Sequence, residues 1–183
     1  MKIVFIRHGE PNYLLCDERG FIGQGRDMAP LTDEGVQQAE LASKNELLKG
    51  SDLIVSSPYT RALQTAAIIS KNTGLDIKVE IDLHEFIPDK TFMYKGDYES
   101  KLLHKDFMYC HGIYPEGENR NWETIEEIIN RVVSVLDKYT SYKKIIVVAH
   151  GGVIRRFTGI RLIDYCEVHE VEYDKGFQCF QWV

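Results

Sequence analysis

Two histidines and two arginines stand just after short apolar runs. Ile3-Val4-Phe5-Ile6 is followed by Arg7-His8-Gly9-Glu10. Leu53-Ile54-Val55 is followed by Ser56-Ser57-Pro58, with Arg61 close behind. Ile145-Ile146-Val147-Val148-Ala149 is followed by His150-Gly151-Gly152. Guanidiniums grip phosphate oxygens with paired hydrogen bonds. Backbone N–H groups at helix starts and in glycine turns bind anions. If the three runs are parallel neighbours, these groups converge on one rim, and the rim is a phosphate pocket.

The elements must supply that convergence. The three runs are rich in β-branched residues and apolar throughout, as strands covered on both faces are. Such strands belong to parallel sheets, which bind ligands beyond their carboxyl ends. Thr32 can cap a helix beginning at Asp33 and Glu34, with Val36, Ala39 and Ala42 on one face and Gly50 as a stop. A second helix is expected over 58–72, with Ser57 as N-cap, Pro58 in the first turn and Gly74 at its end. Ile125, Ile128, Ile129, Val132, Leu136 and Tyr139 form an amphipathic stripe, which predicts a third helix over 122–139. Residues 76–81 read as a strand with one wetter face. Residues 168–173 and 177–183 read as a closing hairpin around Asp174-Lys175-Gly176. The aromatic-rich segment 86–121 is the least regular and reads as a lid-like insertion. The expectation is an α/β fold in one domain over 1–183: a three-layer α/β/α sandwich on a mostly parallel central sheet.

Composition narrows the partners. The 183 residues are 44% hydrophobic and 27% charged, which excludes a mostly disordered chain. Lys plus Arg is 22 against 28 for Asp plus Glu, a net charge of −6. That balance argues against non-specific nucleic-acid binding, which needs a basic face. The cationic rim is then a local pocket in an acidic protein. Cys16, Cys110, Cys166 and Cys179 form no CxxC and read as free thiols of a reducing cytosol. The amino terminus lacks the apolar core of a signal peptide, and no run approaches the ~18 residues of a membrane span. The expected location is cytoplasmic, with no membrane partner. The apolar tail over 177–183 could be buried strand or the contact surface of a homo-oligomer.

Four blocks resemble the histidine phosphatase superfamily, also called the phosphoglycerate mutase-like fold. Arg7-His8-Gly9-Glu10 resembles its signature. The run from Ser56 to Ala66 resembles its second block, Leu83-His84-Glu85 its acidic position, and Ala149-His150-Gly151-Gly152 its last block. The resemblance implies roles. His8 would be the nucleophile that takes the phosphoryl group. Arg7, Arg61 and His150 would hold the phosphoryl oxygens, with Gly151 beside them. Glu85 would protonate the leaving alcohol and then activate water, although Glu10, Asp82 or Asp89 could compete for that part. An imidazole attacks only when neutral, and nearby guanidiniums disfavour its protonation. Fixed cations then stand where a metal would, so neither a metal nor a cofactor is expected. The substrate would be a small phosphomonoester.

The chain departs from the family pattern in places. The family often has Asn seven residues after the signature Arg; that position is Leu14 here, and Asn12 is the nearest substitute. The segment Asp27-Met28-Ala29-Pro30-Leu31-Thr32 carries one extra residue, and Gln24 before it is a candidate ligand. Cys110-His111 with His104 and His84 matches no zinc spacing. Lys90, Lys95, Lys101, Arg120 and Arg155 are candidates for a second anionic group on the substrate. Two rival readings are a phosphoglycerate mutase-type phosphoryl transfer and a phosphate-recognition module without turnover. The family's mutases carry a longer insertion before the last His block, which this chain lacks.

Overall fold

The computed structural model describes residues 1–182. Five strands, β1 (Lys2–Arg7), β2 (Leu53–Ser56), β3 (Ile77–Val79), β4 (Lys144–Ala149) and β5 (Val168–Glu172), form one sheet. Their order is β3-β2-β4-β1-β5. The first three pairings are parallel, and β5 runs antiparallel to β1. The helices are α1 (Leu14–Asp17), α2 (Asp33–Ala42), α3 (Thr60–Thr73), α4 (Gly96–Tyr109), α5 (Ile125–Leu136) and α6 (Gly151–Thr158). Among the described residues, no helix is long and apolar enough to cross a membrane.

Side chains alternate across a strand, and that alternation builds two cores. Ile3, Phe5, Val55, Ile145 and Val147 face Ile128, Val132 and Val135 of α5 and Val153 and Phe157 of α6. Val4, Ile6, Ile54, Ile146 and Val148 face Ala62, Ala66 and Ile69 of α3. The architecture is therefore the expected α/β/α sandwich on a mostly parallel sheet. Each large apolar side chain taken fully out of water contributes roughly 1.5–3 kcal/mol. Both core faces must be filled, which is why β1, β2 and β4 are apolar throughout.

Several boundaries differ from the sequence expectation. Helix α2 ends at Ala42, well before Gly50, and Val36 is exposed; its buried face is Gly35, Ala39 and Ala42. Thr32 does cap it, accepting from the Gly35 N–H at 2.9 Å. Helix α3 begins at Thr60 with Tyr59 in the N-cap position, so Ser57 is not its cap. Gly74 does close it, at a positive φ of 74° that glycine tolerates best. Helix α5 is shorter than 122–139. It starts at a capping box in which Thr124 and Glu127 satisfy each other's backbone N–H groups.

The expected hairpin is absent. Strand β5 pairs with β1 instead, and 177–182 carry no strand. Val183, the last residue of that expectation, lies outside the described residues. The tail packs along α6: Phe177 stacks on Phe157 and Tyr173, and the Phe180 N–H donates to the Arg156 carbonyl at 2.8 Å. The segment 86–121 is not wholly irregular either, since it contains the 14-residue helix α4. Phe107 of α4 packs with Trp122, Ile125 and Ile129 in a separate cluster.

Candidate active site

The register of the sheet aligns the rim. Arg7 pairs with Ala149, and Ser56 pairs with Val148. His8, His150 and Ser57 therefore leave three adjacent strands at one level. The His8 N–H donates to the Ala149 carbonyl, and the Ser57 N–H to the Val148 carbonyl, both at 3.0 Å. The two imidazole centroids lie 5.1 Å apart.

His8 is buried, and its tautomer follows from its partners. Nδ1 sits 2.7 Å from the Gly9 carbonyl oxygen, which can only accept, so Nδ1 carries the proton. Nε2 accepts from the Arg61 Nε–H at 3.3 Å and presents its lone pair to that side. Burial, with Arg61 and Arg7 adding to it, holds the imidazole well below its ordinary pKa of 6.5. Gly9 must be glycine, because a side chain there would collide with the Gly35 carbonyl. Its N–H donates to Thr65 Oγ1 at 3.0 Å, which ties the turn to α3.

His150 is fully buried. Its Nε2 lies 2.7 Å from Ser57 Oγ, while its Nδ1 is buried without a partner. Burial first, then Arg61 and His8, holds it well below 6.5. Arg61, in the first turn of α3, is also buried, and its Nη1 is fixed by Asp27 Oδ1 at 2.9 Å. Arg7 lies over the Tyr165 ring at 4.1 Å and donates to the Ile163 carbonyl at 2.6 Å. Its Nε is buried and unpartnered. Orphaned buried polar atoms are rare in native proteins. Two of them, on Arg7 and His150, belong to the same rim.

Glu85 follows a short turn anchored by fully buried Leu83. Its Oε1 accepts from the Phe86 N–H at 2.8 Å and its Oε2 from the Gly152 N–H at 3.3 Å. A side chain on Gly152 would run into the carboxylate, so the glycine permits this approach. Arg131 braces the segment, donating to the Asp82 carbonyl at 2.5 Å and the Glu85 carbonyl at 3.4 Å.

A cavity of about 450 Å³ opens in front of these groups. Arg7, Arg61, Glu85, Gln24 and Gly151 line it; His8 and His150 are buried and are not among its lining residues. Asn12 does not line it, but its neighbour Tyr13 does. The Asn12 backbone N–H is engaged by the Pro30 carbonyl at 2.7 Å. Of the five basic candidates for a second anion, Lys101 and Arg155 reach the cavity. Lys90 is tied to Glu127, and Arg120 to Asp106 and Glu118. Sequence reasoning missed Asp27, Tyr13, Tyr59 and Tyr165. Asp27 opens the segment with the extra residue, but no spacing marks it as the partner of Arg61.

The fold and rim together define a class: a parallel α/β sandwich whose strand ends gather imidazoles and guanidiniums around an anion-sized notch. The chain belongs to the histidine phosphatase superfamily (branch 1), whose family profile it matches over residues 3–178. It is 33% identical over 181 residues to a candidate phosphoserine phosphatase 2 of Hydrogenobacter thermophilus, covering 92% of this chain and 84% of that one. It is 28% identical over 169 residues to the adenosylcobalamin/alpha-ribazole phosphatase of Escherichia coli, covering 84% of this chain and 75% of that one. A solved mycobacterial glucosyl-3-phosphoglycerate phosphatase shares the fold at a TM-score of 0.69 and 19% identity, covering 93% of this chain and 92% of that one.

Proposed function

We propose that the protein is a phosphatase that hydrolyses a small phosphomonoester through a phosphohistidine on His8. The observation that carries this reading is the His8 tautomer. Nδ1–H is spent on the Gly9 carbonyl, which leaves Nε2 unprotonated; its lone pair accepts from the Arg61 Nε–H until a bound phosphoryl group displaces that bond. Burial keeps the ring neutral, and a neutral imidazole is the nucleophilic form.

The reaction runs in two balanced steps. His8 Nε2 attacks phosphorus, the P–O ester bond breaks, and the leaving oxygen takes a proton from the Glu85 carboxyl. Glu85, now a carboxylate, accepts a proton from water as that water attacks phosphorus. The P–N bond breaks, its electron pair returns to Nε2, and phosphate leaves. Arg7, Arg61, His150 and the Gly151 amide offset the charge on the equatorial oxygens. Gln24 lines the cavity and is positioned to touch the substrate. The cationic side chains support a reaction that needs no metal.

The test uses a chromogenic phosphomonoester with EDTA present, comparing wild type with His8→Ala. The expected result is turnover by wild type and loss of at least about a thousandfold in the variant. Unchanged turnover in the variant would overturn the nucleophile. Mutase flux on phosphoglycerate far above hydrolysis would move the reading to phosphoryl transfer.

A further inference from the structure

We propose that Arg155 anchors a second anionic group of the substrate, placed only a few bonds from the phosphate ester. This deepens the phosphatase reading above and rests on it. Arg155 lies one turn into α6, and its Nε donates back to the Gly151 carbonyl at 3.1 Å. Its Nη2 comes within 4 Å of the point where a Gly151 side chain would begin, and so does Arg7 Nε. Two guanidiniums thus share the notch that glycine leaves open.

Neither guanidinium has an acid of its own. Among the described residues, no ion pair includes Arg7 or Arg155. Burial pulls Arg155 below its ordinary pKa; Glu85 opposes that, and Arg7 adds to it. Glu85 faces Arg155 from beyond ion-pair distance. A phosphoryl group held by Arg7 and Arg61 leaves Arg155 as the uncompensated cation at its edge.

The other cations of the wall are engaged. Arg26 pairs with Asp17, and Lys101 with Asp97. Arg156 donates to the carbonyls of Gly152, Phe180 and Gln181. The lid side, with Phe86, Phe92 and Tyr94, is largely aromatic. The substrate class that fits is a small phosphomonoester bearing a carboxylate or second phosphate on the adjoining carbon. Its two anionic groups would be spaced like the two guanidiniums.

The experiment compares kcat/KM for phosphoglycolate, ethanediol bisphosphate and ethyl phosphate. Wild type should favour one or both doubly anionic esters over ethyl phosphate by about 10- to 100-fold, the range of a charge-assisted hydrogen bond. In Arg155→Met that ratio should collapse towards one, and Arg155→Lys should restore part of it. The carboxylate and bisphosphate arms tell which anion is preferred. Because each enzyme is judged by a ratio between its own substrates, a loss of folded fraction cancels out. A ratio that survives in Arg155→Met overturns the proposal. So does an equal fall on all three esters, which would place Arg155 on the phosphoryl group. Wild type that hydrolyses ethyl phosphate as well as the other two sinks the second anion alone. Wild type that hydrolyses none of them, nor the chromogenic ester, sinks the phosphatase reading beneath it.

Discussion

Ser57 Oγ lies 2.7 Å from His150 Nε2, so the residue that follows β2 orients the imidazole that follows β4. The same oxygen accepts from the Tyr59 N–H at 3.3 Å. That second bond leaves the hydroxyl proton free to point at Nε2. Nδ1 of His150 then carries the ring proton and is the donor available to an oxyanion. Ser57→Ala should lower kcat about tenfold with a smaller change in KM, since one orienting hydrogen bond is lost. Steady-state kinetics on the chromogenic ester decide this. An unchanged kcat would mean that His150 is held by packing alone.

Asp27 fixes Arg61 from the side opposite His8, with 2.9 Å to Nη1. Asp27→Asn keeps the shape but weakens a charge-assisted bond in a buried setting. The expected outcome is about a tenfold fall in kcat/KM and weaker inhibition by inorganic phosphate. Equal phosphate inhibition in both proteins would show that Arg61 needs no carboxylate.

Stability should fall as the solution is acidified from neutrality. His8 and His150 are held neutral by burial in the folded chain, whereas the unfolded chain titrates near pH 6.5. Below about pH 6.5 the unfolded state binds protons that the folded state refuses, and folding loses free energy. Asp27, pushed up by burial, works in the opposite sense nearer pH 4. The melting temperature should therefore drop between about pH 7 and pH 5, and drop less in His8→Asn. A flat profile across that window would contradict the neutral-imidazole assignment.

Arg131 and Glu123 form a nearly buried pair at 2.5 Å beneath the Glu85 segment. Arg131→Met would leave Glu123 buried without its charge partner, which costs about 3–5 kcal/mol. The same change removes the donors to the Asp82 and Glu85 carbonyls, so residual activity should fall as well. Urea denaturation measures the first effect. A loss below about 1 kcal/mol would indicate that water replaces the guanidinium.

Much of the frame was legible in the chain. The runs at 3–6, 53–55 and 145–149 could only be strands covered twice, because both of their faces fill a core. Thr32 and Gly74 marked real helix ends, since each does local chemistry that its neighbours cannot. Other features lacked a local signal. Helix α4 buries Phe107 alone, so its sequence carries no apolar stripe. The alternation at 168–173 announced a strand but not its partner, and the open edge of β1 took it in place of the tail. Asp27 is a lone acid in a short turn, and its meaning comes from where Arg61 reaches.

The sequence alone determined the three apolar strands and which residue types stand at their ends, because apolar runs act over a few residues. The tertiary structure decided that β4 lies between β1 and β2. That placement is a choice among pairings far apart in the chain, made by filling both faces of the sheet at once. It sets His150 between His8 and Ser57 and so brings three separate turns to one rim.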